Sequence, residues 1–153
     1  MKAFYEHAPF LEAGARGAAQ AFALEKLGDV HLTWENEALR ETEGNPALDV
    51  VYPPLSILAE PTVAWVDANV ARHGSEAAAR AYLEFLFSEA AQEIIAESGY
   101  RPIDAGALAR HAARFPQLAL FSITDIAKDW EDAQRRFFSD DGIIETVSSP
   151  KPR

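Results

Sequence analysis

The sequence has 153 residues, a formal net charge of −10 at pH 7 and no cysteine. The acidic excess argues against a nucleic-acid partner, whose phosphates require a basic surface, and the lack of cysteine excludes disulfides, thiolate zinc sites and a cysteine nucleophile. Hydrophobic residues make up 48% and charged residues 25% of the chain, which is typical of a globular domain, and no apolar run approaches the roughly 18–20 residues of a membrane span.

The first informative stretch predicts a loop, a helix and a strand in close succession. Gly14, Ala15, Arg16 and Gly17 form the predicted loop, and an alanine-rich helix is expected over residues 18–27, with Gly28 as a left-handed C-terminal cap. A strand over residues 30–33 then leads to Trp34 and the acidic run at 35–37.

A glycine-bounded loop that opens a helix can hold an anion, because it offers unpaired N–H groups at the positive end of the helix dipole. The spacing Gly14-x-x-Gly17 matches neither the dinucleotide fingerprint nor the P-loop. A tight strand-to-helix turn without a ligand therefore remains the alternative. The net charge does not decide between them, since distant surface carboxylates are screened beyond about 8–10 Å at physiological salt.

The rest of the chain alternates predicted strands and helices, which places it in the α/β class. Strands are expected to begin at Val30, Val50, Ile57 and Leu118, with an extended, kinked segment over residues 56–66. Helices are expected over residues 35–43, 75–87, 88–97, 104–114 and from Thr124 or Asp125 to Gly142, followed by a frayed tail at 148–153.

No pattern in the sequence predicts catalysis, a metal or a cofactor. The histidines share no short ligand spacing: they are His7, His31, His73 and His111. Glu35 and Glu37 are typical of the first turn of a helix, where the dipole stabilises acidic side chains. Serine-hydrolase, β-lactamase and zinc-protease motifs are absent from the sequence.

Several blocks in fixed order closely resemble the C-terminal half of bacterial periplasmic sulfate-binding proteins. They are GARGA at 14–18, WENEAL at 34–39, SILAEPTV at 56–63, AYLEFL at 81–86, YRP at 100–102, and the FP and LF pairs at 115–116 and 120–121. The resemblance covers nearly the whole chain and implies part of a two-lobed type II periplasmic-binding-protein fold, with a mixed sheet flanked by helices. In that fold two α/β lobes close over the ligand by hinge motion.

The resemblance also implies roles for individual residues. The indole N–H of Trp34 and the backbone N–H of Ala15 would donate to a bound sulfate, and Arg16 would brace the loop from behind, with Gly14 and Gly17 shaping it. From the residues alone, a core role is favoured for Trp34, because indole is mainly a large hydrophobic body; the resemblance reverses that preference. One departure from the family is the alanine pair at 18–19, where the helix often opens with serine or threonine.

The implied function is sulfate binding as the periplasmic component of an ABC importer, which hands its ligand to a membrane permease and performs no chemistry. Residues 1–48 are predicted to carry the anion-loop portion of one lobe, residues 49–147 a hinge segment and remaining lobe material, and residues 148–153 the tail. Residues 1–13 do not read as a signal peptide, so the chain is predicted to be a truncated form with an incomplete site. Self-association of such a chain is expected. The alternatives are another oxyanion, such as thiosulfate or molybdate, or a small α/β interaction module.

Overall fold

A computed structural model of the chain describes residues 2–8 and 10–148. Its helices and strands, numbered in chain order, are α1 Lys2–Glu6, α2 Ala15–Ala23, α3 Glu35–Thr42, β1 Leu55–Ile57, α4 Asp67–His73, α5 Glu76–Phe85, α6 Glu89–Glu97, α7 Ala105–Arg110, β2 Ala119–Phe121, α8 Trp130–Phe138 and α9 Ile143–Ser148. A 3-10 turn, Ile123–Asp125, follows β2. The predicted α/β class is confirmed.

The sheet consists of β1 and β2, which run parallel with Leu55 opposite Ala119 and Ile57 opposite Phe121. The strand predicted to begin at Leu118 is confirmed with its start one residue later, whereas β1 begins two residues before the predicted start and ends at Ile57. The sheet is parallel rather than mixed over the described residues, because the other two predicted strands do not pair. Val30 and Val51 lie outside the helices and strands and are 86% and 87% exposed, so β-forming residues alone did not produce strands there.

The chain divides into two compact units. Unit 1 comprises the residues up to Glu37, Val51–Ala59, and the residues from Leu118 onward. Unit 2 comprises Ala38–Val50 and Glu60–Gln117. In unit 1, α9 packs against α1 and α8. In unit 2, α6 packs against α7 and α4 against α5.

The core of unit 2 is built around Phe115, whose side chain is 2% exposed. Gln92 is buried, and both polar atoms of its side-chain amide form hydrogen bonds. Its Nε2 donates to the Leu86 carbonyl at 2.8 Å, and its Oε1 accepts from the backbone N–H groups of Ile103 at 2.8 Å and Asp104 at 3.3 Å. One buried amide thus links the segment before α6 to the segment that leads into α7.

Of the helix starts expected at Ser75, Ser88 and Asp104, the last two have a side-chain cap. Ser88 accepts from the Ala91 N–H at the start of α6, and Asp104 accepts from the Ala107 N–H at the start of α7. Ser75 precedes α5 without a side-chain cap hydrogen bond.

Several predicted boundaries were wrong. The helix predicted over residues 18–27 begins three residues earlier, at Ala15, and ends at Ala23. Gly28 is left-handed, with φ 84°, but lies beyond that end, since Lys26 already has φ 58°. The helix expected to start near Thr124 is a 3-10 turn followed by α8, which Asp129 caps. Helices α4 and α9 were not predicted, and residues 149–153 of the predicted tail lie outside the described residues.

Candidate functional site

The loop predicted before the helix is instead the first turn of α2. Gly14 is the N-cap residue in extended backbone, with φ −168° and ψ 157°, and no side chain caps this end. The Gly14 carbonyl accepts the first helical hydrogen bond from the Ala18 N–H at 3.1 Å. The N–H groups of Ala15, Arg16 and Gly17 come before this first helical hydrogen bond and have no partner within the helix.

Gly14 and Gly17 leave open space beside the backbone and relieve no backbone strain. Neither Gly14 nor Gly17 has a positive φ, so both adopt backbone that other residues also adopt. A Cβ placed on Gly14 would meet no heavy atom within 4 Å, and one placed on Gly17 would meet only the side chain of Glu12, at 3.6 Å. Ligand atoms could therefore approach the backbone closely here, as the proposed shaping role of both glycines requires.

Arg16 is the second residue of α2, and its side chain is exposed. A cation in the first turn opposes the helix dipole and does not help the helix to form. Within the described part of the chain, no hydrogen bond or ion pair engages the Arg16 guanidinium. Its bracing role stays a prediction.

Trp34 immediately precedes α3, and its carbonyl accepts from the Glu37 N–H at 3.1 Å. The indole is 57% exposed, so it is not a core residue of the described chain. Before it, the rings of Phe22 in α2 and His31 lie 5.3 Å apart. This contact packs the segment leading to Trp34 alongside α2, within unit 1.

Trp34 lies between Thr33 and the first turn of α3. Glu35 and Glu37 lie in the first turn of α3, as predicted, and Glu37 accepts from Asn36 Nδ2 at 3.1 Å. The Thr33 hydroxyl oxygen is buried and has no hydrogen-bond partner among the residues that the structure describes. The sequence gives no signal for this position, because Thr33 is simply the last residue of the strand predicted over residues 30–33.

The shifted titratable groups belong to surface clusters elsewhere. Hydrogen bonds from His111 and Arg110 lower the pKa of Glu93, and the same Glu93 contact raises the pKa of Arg110. The backbone N–H of Lys128 is the main cause that lowers the pKa of Asp132. These contacts tie α6 to α7 and hold the start of α8, so their shifts have a structural explanation.

Unit 2 has an open groove of about 430 Å³ that the sequence did not suggest. Its walls are Ala64, Trp65, Asp67, Arg80, Leu83 and Glu84. The Trp65 indole donates to Asp67 at 2.7 Å, and the Arg80 guanidinium lies 5.3 Å from the Trp65 ring centre. Trp65 therefore contacts both Asp67 and Arg80 within the groove, and Arg80 Nη2 also donates to Glu76 outside it at 3.4 Å.

Comparison with known proteins decides the family. The family model described as bacterial extracellular solute-binding protein matches residues 1–101. The chain belongs to this family. The solute-binding proteins are a family of binding rather than catalytic proteins, in keeping with the lack of a catalytic motif in this sequence.

Individual solute-binding relatives match almost the whole chain. The sulfate-binding protein of Salmonella typhimurium is 40% identical over 150 residues, which are 97% of this chain and 46% of that protein. The sulfate-binding protein of Escherichia coli is 39% identical over 150 residues, with the same coverage. The thiosulfate-binding protein of Pseudomonas aeruginosa is 39% identical over 148 residues, 95% of this chain and 45% of that protein.

The resemblance to sulfate-binding proteins that the sequence blocks predicted is thus confirmed. The chain spans about half the length of the curated relatives that it matches. Over residues 2–8 and 10–148, none of the helices has the length and apolar character needed to cross a membrane.

Proposed function

We propose that this chain carries part of the oxyanion site of a periplasmic sulfate-binding protein, which captures sulfate and hands it to an ABC permease. The observation that carries the proposal is the match, at 40% identity over 97% of the chain, to a protein named for sulfate binding. The uncapped first turn of α2 supports it, because that turn offers N–H donors without using them within the helix.

In this proposal the ligand is held by neutral donors. The N–H of Ala15 and the indole N–H of Trp34 donate to sulfate oxygens, Arg16 braces the turn, and Gly14 and Gly17 keep side chains away from the ligand. Indole has no acceptor capacity. A site of donors alone disfavours a protonated oxyanion, whose own proton would face another donor and remain unpaired.

We further propose that unit 1 and unit 2 are portions of the two lobes of the type II fold. All five proposed site residues belong to unit 1. Because the chain matches less than half of each relative, other parts of the fold would supply the remaining donors. The chain alone should then bind sulfate weakly.

Thiosulfate is the second candidate ligand. The relative named for thiosulfate binding is 39% identical to this chain, nearly the same as the sulfate-binding relatives. Sulfate and thiosulfate differ by one oxygen-to-sulfur replacement, and the residues of this turn do not distinguish the two ions.

Calorimetric titration of two proteins with sulfate, thiosulfate and molybdate tests the proposal. The first is this chain, and the second is this chain fused to the part of the Salmonella protein that it does not match. We expect the fusion to bind sulfate with a Kd of about 1 μM or lower and the chain alone near 1 mM, a difference of roughly 4 kcal/mol. A fusion that folds and binds none of the three anions would refute the proposed function.

A further inference from the structure

Helix α5 has an apolar stripe that is open to solvent. None of the ten described residues of α5 is buried, although Ala78, Tyr82 and Phe85 recur at the spacing of a side that normally faces a core. Tyr82 is 62% and Phe85 46% exposed, and Ala78 and Ala81 beside them are exposed as well. These four residues form the α5 stripe. Because it is contiguous and apolar, it has the character of an interaction surface.

The other sides of α5 are engaged within unit 2. Glu76 and Arg80 form an ion pair at 3.4 Å, and the Arg80 guanidinium lies 5.3 Å from the Trp65 ring centre. Ala79 and Leu83 are half-buried, and α4 packs against α5. At about 100° per residue, these positions all lie away from the stripe. The α5 stripe is therefore the side of the helix that the described chain leaves uncovered.

The order of large and small residues makes the α5 stripe complementary to itself. When a helix packs antiparallel against its own copy about a two-fold axis, residue i faces residue j and j faces i. With the axis between Ala81 and Tyr82, Tyr82 of each copy faces Ala81 of the other, and Phe85 faces Ala78. Each aromatic ring then packs against an alanine. The alanines also let the two helices approach to the separation of about 8–10 Å that packed helices adopt.

We infer that the α5 stripe binds a second copy of this chain as an antiparallel, two-fold symmetric helix pair. This inference does not depend on the ligand proposed for α2. Two ten-residue helices bury less than the roughly 1,600 Å² of a standard interface, so the dimer is weak, with a Kd on the order of 100 μM. The net charge of −10 opposes association, whereas the stripe itself carries no charge. Added salt therefore strengthens the dimer.

The test is sedimentation equilibrium of the chain and three variants over concentrations from about 10 μM to 1 mM. Tyr82→Lys and Ala81→Glu should each weaken the dimer at least about tenfold, because each removes an apolar contact at the centre of the interface and places a charge there. An equimolar mixture of these two variants should recover much of the pairing. In the mixed dimer the introduced lysine faces the introduced glutamate, and the other contact keeps Tyr82 against Ala81. Tyr100→Lys is the matched control, since Tyr100 is 52% exposed and lies outside α5.

Three results would overturn the inference. The first is a chain that stays monomeric at about 1 mM. The second is a dimer that Tyr82→Lys and Ala81→Glu leave unchanged, which would place the contact on another surface or in a domain swap. The third is a mixture that pairs no better than either variant alone, which would exclude the two-fold register.

The fusion protein proposed above tests the other possible occupant of the stripe, the remaining part of the solute-binding fold. We expect Tyr82→Lys to leave the melting temperature of the fusion unchanged. If the variant melts much lower in the fusion but not in the chain alone, the rest of the fold covers α5, and the second copy is not its partner. Both the sedimentation and the melting are measured without sulfate, so their failure is distinct from a failure of the proposed function.

Discussion

The α6–α7 pair of unit 2 and the segment from α2 to Trp34 in unit 1 differ in where their polar groups find partners. At α6 and α7, Ser88 and Asp104 cap the helices and Gln92 satisfies backbone groups on both sides. At α2, no side chain caps the helix, and Trp34 is largely exposed. The N–H groups at the starts of α6 and α7 have side-chain acceptors, whereas those in the first turn of α2 have no partner within the helix.

Phe115→Ala should produce the largest effect on stability, because it empties the centre of unit 2. The side chain is 2% exposed, and the Arg101 guanidinium lies 5.5 Å from its ring centre. We expect a loss of about 3–5 kcal/mol in the free energy of unfolding, measured by urea denaturation. Phe138→Ala, at a residue 63% exposed, is the control. Equal losses in the two variants would mean that Phe115 is not the core residue of unit 2.

Gln92→Leu should cost about 1–3 kcal/mol, because it leaves the Ile103 and Asp104 N–H groups and the Leu86 carbonyl without their partner. Gln134→Leu, on the exposed side of α8, should cost much less. The measurement is again urea denaturation. If Gln92→Leu leaves the free energy of unfolding unchanged, water replaces the amide. The contrast between the α6–α7 pair and the segment from α2 to Trp34 would then weaken.

Gly17→Ala should stabilise the ligand-free chain by about 0.8–1 kcal/mol, the difference in helix propensity between the two residues. The new Cβ would meet nothing closer than 3.6 Å. Sulfate affinity should fall, since a methyl group then occupies the space beside the first turn. Thermal melting and titration of the same sample measure both effects. Gly142→Ala should instead destabilise, because its Cβ would lie 2.8 Å from the Phe137 backbone.

Glu93→Gln should have the smallest effect, visible in the pH dependence of melting. His111 and Arg110 hold the pKa of Glu93 below its ordinary value of 4.5. A lowered folded-state pKa contributes stability above that ordinary value, and the contribution is lost as pH falls through the lower folded-state pKa. Glu93→Gln should therefore melt lower than the unmodified chain at neutral pH and converge with it in acid. Glu97→Gln, which removes an equal charge from the same helix without touching the His111 and Arg110 contacts, is the control.

The sequence predicted the α6–α7 pair, whose polar groups bond to each other, better than the segment from α2 to Trp34. Ser88 and Asp104 each accept from an N–H three residues further on, so the local pattern was sufficient to place them. The strands near Ile57 and Leu118 formed because they pair with each other. The strand expected at Val30 did not form, because a strand needs a pairing partner and the sequence pattern cannot supply one. Val30, Leu32 and Trp34, three large apolar side chains expected in or directly after that strand, are exposed.

The candidate site was predicted mainly through the resemblance to sulfate-binding proteins. The residues alone marked a helix start at Gly14 to Gly17 but misplaced it by three residues, because alanine and arginine favour helix and extended it to Ala15. The position of Glu12 beside Gly17 could not be predicted, since it depends on a side-chain rotamer and not on spacing.

The most direct test of the central claim is Trp34→Phe, measured by calorimetry with sulfate on the fusion protein described above. The variant keeps an aromatic ring and removes the indole N–H, so ligand-free melting should change little. Affinity should fall by about 1.5–3 kcal/mol, the range for a hydrogen bond to a charged partner. Trp130→Phe is the matched control, since Trp130 is 69% exposed and begins α8, and it should bind like the unmodified protein. An unchanged affinity in Trp34→Phe, with a lowered melting temperature, would contradict the account and return Trp34 to a packing role.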